Sequence, residues 1–83
     1  MELKDTIELM QSDDYKERFR AEYFQLKIRA DKLSAFLSKY ANGELNFTPS
    51  CSYERLYEQY VYMKNYQHQL EVRACCESID LTA

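Results

Sequence analysis

Apolar residues recur at helical spacing along almost the whole of this chain, and the pattern breaks at only two places. Leu3, Ile7 and Met10 follow i, i+4, i+7, which predicts a short amphipathic helix over about 3–11. "QSDD" then offers Ser12 as an N-cap, with Asp13 and Asp14 placed to favour the positive end of a helix dipole. From about 13 to 41 nothing interrupts helical character. Lys39 and then Asn42-Gly43 supply the stop, glycine being suited to the left-handed position after a helix. "ELNFTPS" reads as a connector, within a loop over 42–50. Pro49 and the Ser50–Ser52 region open a third helix that runs over about 51–79.

The two long segments carry matching heptads. In the second helix Phe19, Leu26, Leu33 and Tyr40 occupy one position, and Tyr23, Ala30 and Leu37 the other. The third answers with Tyr53, Leu56, Tyr60, Met63, Gln67, Leu70 and Ala74. Folded antiparallel, the layers meet in order: Tyr40 with Tyr53, Leu37 with Leu56, Leu33 with Tyr60, Ala30 with Met63. Leu26 then meets Gln67, Tyr23 meets Leu70 and Phe19 meets Ala74. Small residues face large ones in two layers, as interdigitating side chains require. The fold class predicted is all-α: a short N-terminal helix followed by a long antiparallel two-helix hairpin, in one domain over 1–83.

Such a hairpin is poorly suited to stand alone. Each long helix spans roughly 42 Å at 1.5 Å per residue, whereas a compact chain of this length has a radius of gyration near ~12 Å. Each helix also carries a second apolar stripe. In the second helix it is Phe24, Ile28, Ala35 and Phe36; in the third it is Tyr57, Val61, Lys64, His68, Val72, Cys75 and Ile79. Exposed stripes of this size mark interaction sites. The short first helix can cover one side, and a homo-oligomer or another partner is expected to cover the rest.

Composition sharpens this picture. One glycine and one proline in 83 residues leave few turns, hence long elements. No apolar run approaches a membrane span, and "MELKDTIELM" has acids where a secretion signal needs basic residues. The expected location is therefore the cytosol. Three cysteines, two of them adjacent, make a poor disulfide framework, so reduced and partly buried thiols are expected. A net charge of −3 and a pI near 5.1 argue against nucleic acid as the main partner. Cys75 and Cys76 stand two turns from His68, about 10 Å along one helix, too far to share a metal ion or form a nucleophile pair. No cofactor is expected, and with no glycine-rich phosphate loop or catalytic triad pattern, neither is catalysis.

The charges that stand out are basic. Residues 15–33 hold six of the eleven lysines and arginines, interleaved with aromatics. Asp14–Arg18, Arg18–Glu22 and Lys27–Asp31 are i, i+4 pairs that a solvated face explains. Arg20 has only Glu17 nearby, and Arg29 and Lys32 have no acid at helical spacing. The hairpin register places Arg20 near Arg73 and Arg29 near Lys64, with His68 one turn beyond Lys64. Either the acids of the first helix or of another subunit neutralise these groups, or an anion does. On the second reading Arg20, Arg29, Lys64, His68 and Arg73 form a site for a phosphate or for an acidic protein, and Tyr57, Tyr60, Tyr62 and Tyr66 stand ready to stack on bases. On the first, the same tyrosines anchor an interface.

"DTIELM", "DYKERFRAEYFQLKIRADKL", "LNFTPSC" and "LEVRA" resemble a family of small phage and prophage proteins related to a crAss-like phage protein. The most specific part is Asp14-Tyr15-Lys16, Arg18-Phe19, Ala21-Glu22-Tyr23 and Ile28-Arg29. The layout of short helix, long helix, loop and long helix ending in "VRA" is also similar to the helical-hairpin domain of phage anti-CBASS and anti-Thoeris sponges. Those proteins oligomerise and hold cyclic nucleotides or ADP-ribose-derived signals between subunits. The likeness implies a counter-defence protein that sequesters such a signal in the host cytosol without catalysis. Two alternatives remain: a helical inhibitor of a host defence protein, anti-CRISPR-like, and a structural or regulatory phage oligomer.

Overall fold

The computed structural model describes residues 1–83 and is helical throughout, without strands. A 3-10 turn, Leu3–Thr6, runs into a single helical turn, α1 (Ile7–Met10). The long helices are α2 (Tyr15–Ala41) and α3 (Tyr53–Glu77). The molecule measures 43 × 24 × 18 Å with a radius of gyration of 15.1 Å. Its long dimension is that of one helix laid end to end, about 1.5 Å per residue.

Local chemistry explains where each helix begins and ends. Asp14, not Ser12, caps α2: its carboxylate accepts the Lys16 N–H at 2.9 Å, while Ser12 Oγ accepts the N–H of Asp14 at 3.0 Å. Ser12 thus shapes the turn before the helix. Gly43, at φ +69°, closes α2 as expected. The Glu44 N–H returns to the Lys39 carbonyl and the Gly43 N–H to that of Tyr40, which is the double bond of a Schellman ending. Ser52 caps α3 through the N–H of Arg55. Ser78 ends α3 in the left-handed region at φ +56°, a conformation that costs a residue with a Cβ about 1–2 kcal/mol.

The seam follows the heptads. On α3 the predicted positions Gln67, Leu70 and Ala74 are buried and Tyr53, Leu56, Tyr60 and Met63 half-buried; every other α3 residue up to Cys76 is exposed. Tyr40 meets Tyr53 edge-on with ring centroids 5.6 Å apart. The main core sits at the end holding both termini: Phe19, Tyr23, Phe24, Leu70, Ala74 and Ile79, with Leu9, Leu26 and Leu81 against it.

Three expectations change. Phe24 does not await a partner, because the N-terminal segment and the tail after α3 fold over it and bury it to 4%. Buried Thr6 helps to pin that segment by accepting the Gln25 side-chain amide at 2.9 Å. Further along the same stripe, Phe36 packs on Tyr40 and on Phe47 of the connector. Ile79 leaves the α3 stripe for the core, since the left-handed turn at Ser78 redirects the chain. All three cysteines are free and exposed, not partly buried, because Ala74 holds the seam position and Cys75 and Cys76 turn away from it.

Candidate functional site

Two antiparallel helices leave two flanks beside their seam, and a few contacts assign residues to each. Tyr66 on α3 donates its hydroxyl to Glu22 on α2, and Arg73 donates to the Tyr15 hydroxyl at 2.8 Å. These four define the first flank. Tyr23 at the seam donates to Glu71 at 2.8 Å, which places Glu71 on the second. Residues seven apart lie on nearly one line of a helix. Arg29, seven past Glu22, therefore belongs to the first flank, and Lys64, seven before Glu71, to the second. Arg20 is also on the second, where its guanidinium donates to the Thr82 carbonyl of the tail at 3.0 Å.

The expected pairs are therefore split. Arg20 and Arg73 stand on opposite flanks, as do Arg29 and Lys64. Layer pairing placed them at one height but did not decide the side, and two residues adjacent to the same layer can diverge around the seam.

The five candidates also differ in how far the fold has engaged them. Arg73 bonds Glu77 at 3.2 Å and Tyr15, and lies over the Phe19 ring at 5.0 Å. Arg20 stacks on Phe24 at 5.4 Å and bonds the tail, with its Nε buried and unpartnered. The cavity beside it, 520 Å³, holds Lys16 and Arg20 against Asp14, Glu17 and Asp80, so acids outnumber bases there. Lys64 donates to Gln67 at 3.3 Å and meets no acid. Arg29 and His68 are exposed and make no side-chain hydrogen bond or ion pair. Of the three local ion pairs expected in α2, only Lys27–Asp31 forms, at 3.1 Å. Asp14 is used as a cap, Arg18 donates to the Ser12 carbonyl at 2.8 Å, and Glu22 accepts from Tyr66.

Tyrosine chemistry is perturbed where rings meet carboxylates. Burial, then the bond to Glu71, raises the Tyr23 pKa above its usual 10.0. At exposed Tyr15 the bond to Glu77 raises it. In the tail, the Thr82 N–H and hydroxyl hold the Asp80 carboxyl below its usual range.

Two grooves accompany the flanks. On the second flank Ser34 and Ser38 face Tyr53, Tyr57 and Tyr60 across 280 Å³. On the first, Arg55, Glu58, Gln59, Tyr62, Met63 and Tyr66 line 350 Å³. Arg55 and Gln59 were absent from the sequence-based set. Their signal was present, since 55, 59, 62 and 66 repeat at helical spacing, but it is carried by polar and aromatic residues that an apolar count passes over. No three metal-ligating side chains converge, and no helix is long and apolar enough to cross a membrane.

No curated protein and no solved structure matches this chain. A family model does, over residues 13–75, which takes in α2, the connector and all of α3 but Cys76 and Glu77. The chain thus belongs to the Sequestin family.

Proposed function

We propose that this protein is a phage or prophage counter-defence factor that binds and withholds a nucleotide-derived immune signal, a cyclic nucleotide or an ADP-ribose derivative, without transforming it. The family name denotes sequestration, and holding a ligand stoichiometrically needs cations and rings, not a nucleophile or base. The observation that carries the reading is that Arg29, Lys64 and His68 stay exposed without a carboxylate partner on a hairpin that also leaves Tyr57, Tyr62 and Tyr66 uncovered. A phosphate oxygen is the partner such groups lack. Arg20 and Arg73, already bonded within the chain, take part at the edge, each on its own flank. The uncovered α3 stripe supplies the surface for a second subunit, so that ligand lies between copies in the host cytosol.

Calorimetry with a panel of cyclic dinucleotides, cyclic trinucleotides and cyclic ADP-ribose isomers tests this. At least one member should bind with Kd below about 10 μM. Native mass spectrometry of protein taken from cells with active nucleotide signalling should show a multimer carrying the ligand. A panel without any binder would favour a second reading, a helical inhibitor of a host defence protein, for which exposed Tyr57, Val61 and Val72 offer a contact stripe.

A further inference from the structure

We propose that the groove on α3 between Arg55 and Tyr66 is a mononucleotide subsite, with the base on the tyrosines and the phosphate on Arg55 and Arg29. This rests on the sequestering reading and supplies contact residues that the charge pattern alone omits.

The groove's volume, 350 Å³, lies at the lower end of the roughly 300–1,000 Å³ of small-molecule sites, so it suits one nucleotide unit of a larger ligand. Tyr62 and Tyr66 stand one helical turn apart and are 64% and 46% exposed. Neither is needed by the seam. Tyr66 donates its hydroxyl to Glu22, whereas the Tyr62 hydroxyl has no partner. Exposed rings one helical turn apart offer faces that stack on any base.

The polar groups complete a nucleotide's requirements. The Arg55 guanidinium makes no ion pair or hydrogen bond; only its backbone N–H is engaged, by Ser52. Arg29 lies two turns beyond Glu22 on α2, and two turns back from Tyr66 on antiparallel α3 is Gln59. Arg29 therefore comes level with the middle of the groove from the opposite helix. The Gln59 amide has only a long contact to Met63 Sδ at 3.9 Å, which leaves it free to bond a base edge. The Glu58 carboxylate can accept from ribose hydroxyls, as acidic residues do in dinucleotide folds. In the groove Arg55 is matched by Glu58, and across the seam Arg29 shares its flank with Glu22, so what the site offers a phosphate is two guanidiniums without partners and not an excess of positive charge.

The test uses the full chain, labelled with ¹⁵N and titrated with adenosine 5′-monophosphate. Saturable shifts should concentrate at residues 55–66 and at Arg29. In parallel, Tyr62→Ala and Arg55→Gln should each weaken binding by about five- to a hundredfold, as loss of one stack or one charged contact does. Both residues are exposed and bonded to no core group, so an unchanged thermal midpoint verifies the fold. Absence of saturable shifts overturns the assignment, and so do shifts confined to the Lys64–His68 flank. If a panel ligand binds both variants as tightly as the parent, the groove assignment fails and sequestration stands. If the monophosphate seats in the groove while no panel signal binds, the subsite stands and the sequestering reading fails.

Discussion

An arginine's use is set by what surrounds its guanidinium, and here near-identical residues fall into two classes. Arg73 is tied to Glu77, Tyr15 and the face of Phe19, whereas the exposed Arg29 side chain makes no hydrogen bond or ion pair. Arg29→Ala should therefore weaken ligand binding by roughly ten- to a hundredfold, the loss of one charge-assisted bond, and leave the thermal midpoint unmoved. Arg73→Ala should lower the midpoint instead; calorimetric titration and a melt of both variants separate the two. Tyr23 makes a pH-dependent contribution. Its folded-state pKa is raised, so its stabilisation is complete below the unfolded value near 10.0 and is lost as pH rises through the folded value. Urea unfolding followed from about pH 9 upward should show stability falling, and Tyr23→Phe should flatten that fall. Exposed Tyr15 acts in the same direction, so the variant will not abolish it.

At the scale of elements, the two helix endings make opposite demands on one conformation. Gly43 and Ser78 both sit at positive φ, at +69° and +56°. Glycine is at ease there and serine is not. Ser78→Gly should stabilise the fold by about 0.5–1 kcal/mol, since no side-chain bond of Ser78 is lost, and Gly43→Ala should destabilise it by about 1 kcal/mol. Chemical denaturation midpoints of the two variants check the signs. The Gly43 stop was legible in "ANGEL" because glycine there has one common use. The Ser78 turn was not, because serine gives no such cue and the turn is forced by the Ile79 side chain entering the core. Ser12 misled for a related reason: "SDD" offers three competent caps, and backbone geometry at Asp14 decides among them.

For the molecule as a whole, length and covering decide behaviour. The 43 Å hairpin closes one face of α2 with its own termini and connector, and leaves Tyr57, Val61 and Val72 of α3 in solvent. The two stripes should respond differently to charge. Val61→Asp with Val72→Asp should dissociate a self-association that uses the α3 stripe while helicity persists, read by light scattering and circular dichroism. Phe24→Asp should unfold or severely destabilise the chain, by at least the ~3–5 kcal/mol typical of losing a buried phenylalanine. A parent protein that scatters as a ~10 kDa particle at micromolar concentration would show that the stripe has no second copy on it.

Helix periods, heptad layers and the glycine stop were all determined by the sequence, because each depends on the spacing of residues along one helix or on matching two such spacings. The Tyr40–Tyr53 contact and the shared core of Phe19, Tyr23, Leu70 and Ala74 fall where those spacings put them. Which side of the seam a residue next to a layer occupies is also set by its heptad position, because right-handed helices bring like flanking positions of an antiparallel pair together; matching layers by height alone left this out, and it separates Arg29 from Lys64 and Arg20 from Arg73. The fate of Phe24 and Ile79 was tertiary, since segments without strong helical pattern, the first turn and the tail, are placed by the apolar surface they cover. The same folding set Arg29 on the flank of Tyr66 and level with Gln59, an arrangement drawn from two helices that no single stretch of the chain displays.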